Sequence, residues 1–289
     1  MPIADNSIFH QGSRTGVLLI HGLGGTPVEM KSVARRIAET GATVYCCQLT
    51  GHCGTESDLV ATRWQDWYAS ADEALAKLEE NCDSVVVGGL SMGAILAARL
   101  AAQEPERVHG VIMFAPTLWY DGWSVPWYSF LLRWFIDTPM GRRYRFAEAE
   151  PYGVKDERIR RRVVDAIMSG SSVNAGLPAT PALALREFWR LVDDVKPRLA
   201  CVKQRVLIMQ ARDDDIASMA NTEYLQEHLG GTVEALILDD SYHLITVDRQ
   251  RRLVMQRAAD FVRSFAQSAA LEEEAKDIVK LRVLPPTRG

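Results

Sequence analysis

The stretch that decides the fold is Val85-Val86-Val87-Gly88-Gly89-Leu90-Ser91-Met92-Gly93, followed by Ala94-Ile95-Leu96-Ala97-Ala98-Arg99-Leu100-Ala101-Ala102. Three β-branched residues favour a buried strand, and the run after Gly93 is built of strong helix formers. Between them stands a serine with glycine two positions away on either side, G-L-S-M-G. A strand that turns into a helix this abruptly has no room for a Cβ at the flanking positions, which is the use of Gly89 and Gly93. Such a turn lifts Ser91 Oγ off the sheet and sets it beside the unpaired N–H groups of a helix N-terminus, where an oxyanion is stabilised. The motif alone also fits a glycine-rich strand-to-helix turn with an incidental serine. The strand before it and the helix after it are the context that the nucleophile reading needs.

Working outward, Val17-Leu18-Leu19-Ile20 predicts a buried strand ending in His21-Gly22-Leu23-Gly24-Gly25. Thr26 as N-cap, Pro27 at the first helical position and Glu29 completing a capping box predict a helix start. Met30, Val33, Ala34 and Ile37 recur at helical spacing, with Gly41 as the stop. Val44 to Gln48 predicts a strand closed by Gly51-His52-Cys53-Gly54, and a helix from Trp64 to Glu80 leads into the Val85 strand. Val108 to Ala115 predicts the next strand, stopped by Pro116, and one short strand is expected near Ile8-Phe9-His10. Strand and helix in alternation imply a parallel sheet covered on both faces, with its ligand site at the carboxyl ends of the strands.

Between Pro116 and Pro197 the pattern changes. No strand is expected there, and Trp119, Trp123, Trp127 and Trp134, four of the chain's seven tryptophans, fall close together. Trp127, Leu131, Trp134 and Phe135 share one helical face; Ile159, Val163 and Ile167 mark a second helix, and Leu185, Phe188, Val192 and Val195 a third. We read residues 117–197 as a helical cap inserted into a core formed by 1–116 and 198–289. The aromatic face fits either core packing or a lid offering apolar surface to an acyl chain. Alternation then resumes: a strand at Val206 to Gln210, a helix at Asn221 to Leu229, a strand at Val233 to Leu238, and a C-terminal helix through Val254, Ala258, Phe261 and Phe265. A charged helix from Leu271 and a Pro-Pro tail close the chain.

A serine is a poor nucleophile without a base to take its proton and a partner to orient that base. In a parallel sheet these groups should lie past the ends of later strands. His243 lies just beyond the last strand and Asp213-Asp214-Asp215 just beyond the one before it, in the order Ser, Asp, His that this topology expects. His10, His109 and His228 have no such context and read as surface residues. The Arg158-Arg160-Arg161-Arg162 run reads as a solvated helix face.

Composition narrows the classes. The 289 residues, 47% hydrophobic with a formal net charge of −4, suit one large α/β unit with an insertion and carry no basic stripe for nucleic acid. Five cysteines with no C-x-x-C pair indicate neither a disulfide framework nor a zinc site. The chemistry calls for no metal and no organic cofactor. The first residues show no secretion signal, and the aromatic run Trp127 to Ile136, broken by Arg133, is too short to span a bilayer, so the cytoplasm is the expected compartment. Self-association is left open.

The segments L-L-I-H-G-L-G-G, T-G-H, G-L-S-M-G, the aspartate cluster before Ile216 and S-Y-H-L-I-T-V-D resemble the α/β-hydrolase superfamily, most of all bacterial carboxylesterases and monoacylglycerol lipases. The resemblance covers roughly 16–116 and 200–267. It implies the α/β-hydrolase fold, a mostly parallel sheet flanked by helices with an inserted helical cap. It further implies Ser91 as nucleophile, His243 as base and an acid among the aspartates. Ala211 stands where the family usually has glycine; Ile216 then selects Asp214, with Asp213 its competitor. The backbone N–H groups of Leu23 and Met92 are the implied oxyanion hole, and His21 and His52 the implied braces of the loops. Trp119, Trp123, Trp127 and Tyr242 are the candidate pocket residues. Cys53, where glycine is frequent, and Tyr242, where a small residue usually precedes the histidine, depart from the pattern. The implied reaction is hydrolysis of small-molecule esters, short- to medium-chain acyl esters or monoacylglycerols, through an acyl-enzyme. A thioesterase or carbon–carbon bond hydrolase would use the same three residues, and a non-catalytic binding protein could share the fold. Serine at the elbow argues against an aspartate nucleophile.

Overall fold

A computed structural model describes residues 3–147, 149–168 and 176–283; the Pro285-Pro286 tail and the side chain of Ile167 lie outside the described residues. The strands are β1 (Ile8–His10), β2 (Thr15–Ile20), β3 (Thr43–Cys47), β4 (Ser84–Leu90), β5 (Gly110–Phe114), β8 (Arg205–Ala211) and β9 (Val233–Leu238), joined in the order β1-β3-β2-β4-β5-β8-β9. Within this sheet, among the described residues, only the edge pairing of β1 with β3 is antiparallel and the others are parallel. The chain is thus an α/β-hydrolase sheet.

The strands are apolar at nearly every position because both sheet faces are covered. Period-two alternation sends Leu18, Ile20, Val85 and Val87 to one side and Val17, Leu19 and Val86 to the other. Two separate cores result. The second is closed by α1 (Lys31–Ala38) through Val33, Ala34 and Ile37, and by α9 (Arg251–Val283) through Val254, Ala258 and Val262. The first is closed by α3 (Trp64–Glu79), α4 (Met92–Gln103) and α7 (Ala182–Val195). α4 is the most enclosed helix described here: Met92 to Ala98, Leu100 and Ala101 are all buried. α7 contributes Leu185, Phe188, Leu191 and Val192 to that same core, directly against α3 and α4.

From Pro116 to α7 the chain leaves the sheet. It forms a 3-10 helix at Trp127–Leu131, α5 (Leu132–Phe135), a 3-10 turn at Gly141–Arg143, and α6 (Glu157–Met168). It also forms a small antiparallel pair, β6 (Arg145–Ala147) with β7 (Ala179–Pro181), where no strand was expected. Arg145-Phe146-Ala147 is mostly exposed and Ala179-Thr180-Pro181 ends in proline, so neither carries a strand signal of the kind Ile8-Phe9-His10 does. Two further short elements differ from expectation. α2 (Glu56–Val60), capped by Thr55 and Asp58, was not anticipated. The helix predicted from Thr26 opens as a 3-10 turn, Pro27–Met30, before α1 begins. At the other end, the two helices expected after Leu253 are one continuous α9.

Candidate active site

Ser91 follows β4 with φ 55° and ψ −114°, a left-handed backbone that a residue with a Cβ rarely adopts. Its N–H is held by Phe114 O of the neighbouring strand at 2.9 Å, and its carbonyl accepts Ala94 N–H at 3.1 Å. The flanking glycines are obligatory. A Cβ on Gly89 would stand 2.2 Å from the Gly93 carbonyl, and a Cβ on Gly93 would stand 2.3 Å from Ile20 O. The sharp turn thus depends on α4 passing directly over the end of β2.

The loop after β2 lies against this elbow: a Cβ on Gly22 would stand 3.8 Å from the Ser91 Cβ. Three contacts fix its course. Gly22 N–H donates to the Glu29 carboxylate at 3.1 Å, Leu177 N–H donates to Gly24 O at 3.0 Å, and His21 ties it to the next loop. His21 Nδ1 donates to Gly22 O at 2.9 Å, and its Nε2 accepts Leu49 N–H at 3.2 Å. Burial holds His21 at a pKa of about 4, against the pull of its Gly22 hydrogen bond, so it is a neutral brace at physiological pH. His52 packs edge-on to His21 at 4.9 Å and is likewise pushed well below the usual histidine value by burial. Glu29, expected to cap a helix, holds the Gly22 loop instead. The half-buried Leu23 thereby follows directly on the glycine that abuts Ser91, and Met92, the first residue of α4, has an N–H with no carbonyl of its own helix to meet.

Past the end of β8, Asp214 is buried and its carboxylate is fully engaged. Oδ1 accepts the N–H groups of Ile216 and Ala217, each at 2.8 Å, and Oδ2 accepts Gln210 Nε2 at 2.7 Å. His243, past the end of β9, donates from Nδ1 to Asp214 at 2.9–3.0 Å. That bond leaves the lone pair on Nε2. Burial alone would lower the His243 pKa. The charge and hydrogen bond of Asp214, aided by Asp215 and Glu29, more than offset it and raise the value above 6.5. Asp213, the competitor, is largely exposed and faces Lys155 Nζ at 3.6 Å.

Sequence reasoning missed the groups that hold this pair. Asp215 is buried; its Oδ1 accepts His243 N–H at 3.1 Å and its Oδ2 accepts Gly153 N–H at 3.1 Å. Asp248, fully buried, accepts the N–H groups of Tyr242, Lys155 and Asp156 at 2.8–2.9 Å. The histidine loop and the strap Gly153–Asp156 are therefore one rigid assembly. Thr117, after β5, places Oγ1 3.1 Å from Ser91 Oγ. No short-range pattern announces these roles, because apart from Tyr242, six residues from Asp248, each partner lies tens of residues away.

The candidate pocket aromatics divide. Trp123 packs on Tyr242 at 5.4 Å and donates from Nε1 to Asp213 O at 2.9 Å, so both flank the Asp214–His243 pair. Trp119 turns to α8 (Met219–His228), against Tyr224 at 5.4 Å. Trp127 and Trp134 are 84% and 82% exposed, which excludes core packing for that face. Among the described residues no three of His, Cys, Asp and Glu are grouped so as to hold a metal ion.

Sheet, elbow and the buried acid–histidine pair define a serine hydrolase of the α/β-hydrolase superfamily, of the esterase- and lipase-like kind. The model of the family described as serine aminopeptidase, S33 matches residues 11–250, and the chain belongs to that family. A thermostable monoacylglycerol lipase of Bacillus sp. (strain H-257) is 25% identical over 241 residues, 83% of this chain and 87% of that protein. A carboxylesterase of Bacillus subtilis (strain 168) is 23% identical over 241 residues, 83% of this chain and 88% of that protein. Among solved structures, a chain from the work on LipS and LipT, two metagenome-derived lipolytic enzymes, superposes with a TM-score of 0.75 at 29% identity. The match covers 89% of this chain and 97% of that one. The monoacylglycerol lipase of Paleococcus ferrophilus superposes with a TM-score of 0.72 at 17% identity, covering 91% of this chain and 99% of that one.

Proposed function

We propose that this protein hydrolyses carboxylic esters of apolar acyl groups, short- to medium-chain acyl esters or monoacylglycerols, through an acyl-enzyme on Ser91. The observation that carries the reading is the buried Asp214–His243 pair, with Nδ1 committed to the carboxylate, at the same end of the sheet as a serine in a left-handed elbow. His243 Nε2 takes the Ser91 proton as Oγ attacks the ester carbonyl. The oxyanion that forms is met by the Leu23 and Met92 N–H groups, and collapse expels the alcohol, which takes the proton from His243. Water then repeats the sequence: His243 takes its proton, hydroxide adds to the acyl carbon, and the acid leaves as Ser91 Oγ regains a proton. Asp214 orients the imidazole and stabilises its charged form in both halves.

Within the insertion 117–197 between 1–116 and 198–289, the part before α7 serves as the cap, while α7 itself packs into the core beside α3 and α4. Trp123 and Tyr242 form the wall beside His243. The named relatives that span most of the chain are a monoacylglycerol lipase and a carboxylesterase, which supports an ester rather than a peptide substrate. No helix among the described residues is long and apolar enough to cross a membrane. The adjacent free thiols Cys46 and Cys47 suit a reducing cytoplasm.

The test is hydrolysis of p-nitrophenyl esters from acetate to palmitate, with Ser91→Ala as control. Turnover that disappears in the variant is expected. A short-chain optimum identifies a carboxylesterase with a tight pocket, and a medium or long optimum a monoacylglycerol lipase. No turnover together with no labelling of Ser91 by a fluorophosphonate overturns the reading.

A further inference from the structure

The resting partner of the Ser91 hydroxyl is a second hydroxyl. Thr117 lies in the turn after β5, fully buried, with Oγ1 3.1 Å from Ser91 Oγ and 3.3 Å from Ala115 O. A carbonyl can only accept, so the Thr117 proton goes to Ala115 O, and Oγ1 presents lone pairs to Ser91. The Ser91 proton is therefore donated to Thr117. The Nε2 of His243, the nitrogen that must receive that proton, is not its partner: among the described residues, Thr117 is the hydrogen-bond partner of Ser91 Oγ. Neither hydroxyl is placed by accident. Ser91 N–H is anchored on Phe114 O at 2.9 Å, and the Thr117 turn is clamped by Asn221, whose Oδ1 accepts Leu118 and Trp119 N–H at 2.8 and 3.0 Å.

From this geometry we propose that Thr117 is a positioning residue that parks the nucleophile: in the free enzyme it holds the Ser91 hydroxyl away from His243, and attack requires Ser91 to rotate off Thr117 first. The inference rests on the role proposed above for Ser91. It also distinguishes the two halves of the reaction. Acylation starts from a protonated Ser91, which Thr117 can hold. The acyl-enzyme has no proton on Ser91 Oγ, so Thr117 has nothing to accept and deacylation proceeds without it.

Thr117→Val keeps the shape of the side chain and removes the acceptor. Rapid-mixing kinetics with p-nitrophenyl acetate separate the burst (acylation) from the steady state (deacylation), and fluorophosphonate labelling reports Ser91 directly. Acylation and labelling should rise about two- to tenfold in Thr117→Val, the range of one ordinary hydrogen bond. Deacylation should stay at the wild-type value, and Thr117→Ser should restore wild-type acylation. Thr117→Ala carries the same expectation if the valine variant folds poorly. Acylation that is unchanged or slower, or both steps shifting together, overturns the proposal. Wild-type protein that neither labels nor turns over overturns the role of Ser91 itself, a distinct result.

Discussion

Asp215 links His243 to Gly153: one carboxylate accepts the backbone N–H of the histidine through Oδ1 and that of the glycine through Oδ2, each at 3.1 Å. The aspartate adjoining the histidine's own partner therefore fixes the loop, while Asp214 fixes the ring. Asp215→Ala leaves two buried N–H groups without an acceptor, at a cost of about 1–3 kcal/mol each. Urea unfolding should register that loss, and kcat should fall more than KM rises, because the ring is displaced while the pocket walls stay. A variant with wild-type stability and kcat would rule this out.

Asp214→Asn removes the charge that stabilises the imidazolium, so kcat/KM should fall by about 10³–10⁴-fold. The pH dependence supplies a second readout. Only neutral His243 accepts a proton, so activity declines as pH falls through its raised pKa, and the acid limb of the wild-type profile should lie above 6.5. In the variant the residual acid limb should move down, since the charge and hydrogen bond that chiefly oppose burial are gone and only the weaker pulls of Asp215 and Glu29 remain. Stability follows the opposite sense. A raised histidine pKa stabilises the fold fully below pH 6.5, and this contribution is lost as pH rises through the folded value. The Tm gap between wild type and variant should therefore be wider at pH 5 than at pH 9.

Gly93→Ala should destabilise by about 1–3 kcal/mol or more, because the new Cβ would meet the backbone oxygens of Ile20 and His21 at 2.3 and 2.6 Å. Neither oxygen belongs to a side chain that can swing aside. Denaturant midpoints measure the effect; an unchanged midpoint would mean that β2 and α4 can separate freely.

Trp127 and Trp134 form an outward stripe, so Trp127→Ser with Trp134→Ser should alter stability by less than about 0.5 kcal/mol. If this stripe receives apolar substrate, KM for a dispersed long-chain monoacylglycerol should rise several-fold while p-nitrophenyl butyrate is handled as before. Equal effects on both esters would assign the stripe another use.

The sheet body was legible because its period is strong. Val233–Leu238 was expected and found as β9, and Trp64–Glu80 emerged as α3 ending one residue earlier. The elbow was legible for the same reason, since Gly89 and Gly93 carry its geometry in their identity. Asp214 over Asp213 was a narrower inference. Only the fold reveals why: the chain turns so that one carboxylate is buried on His243 and the other faces Lys155 in solvent. Thr117, Asp215 and Asp248 were not legible. A buried threonine or aspartate has no local signature, and their partners are brought in from Ser91, Gly153 and Lys155 by the tertiary structure alone.

The left-handed backbone at Ser91 has an evolutionary consequence. Glycine is the residue that conformation prefers, and a glycine there would relax the turn while removing the hydroxyl. Foldability and turnover thus select opposite residues at a single codon. A descendant freed from the need for turnover would gain stability by drifting to glycine at this position, and would keep its shape long after losing its chemistry.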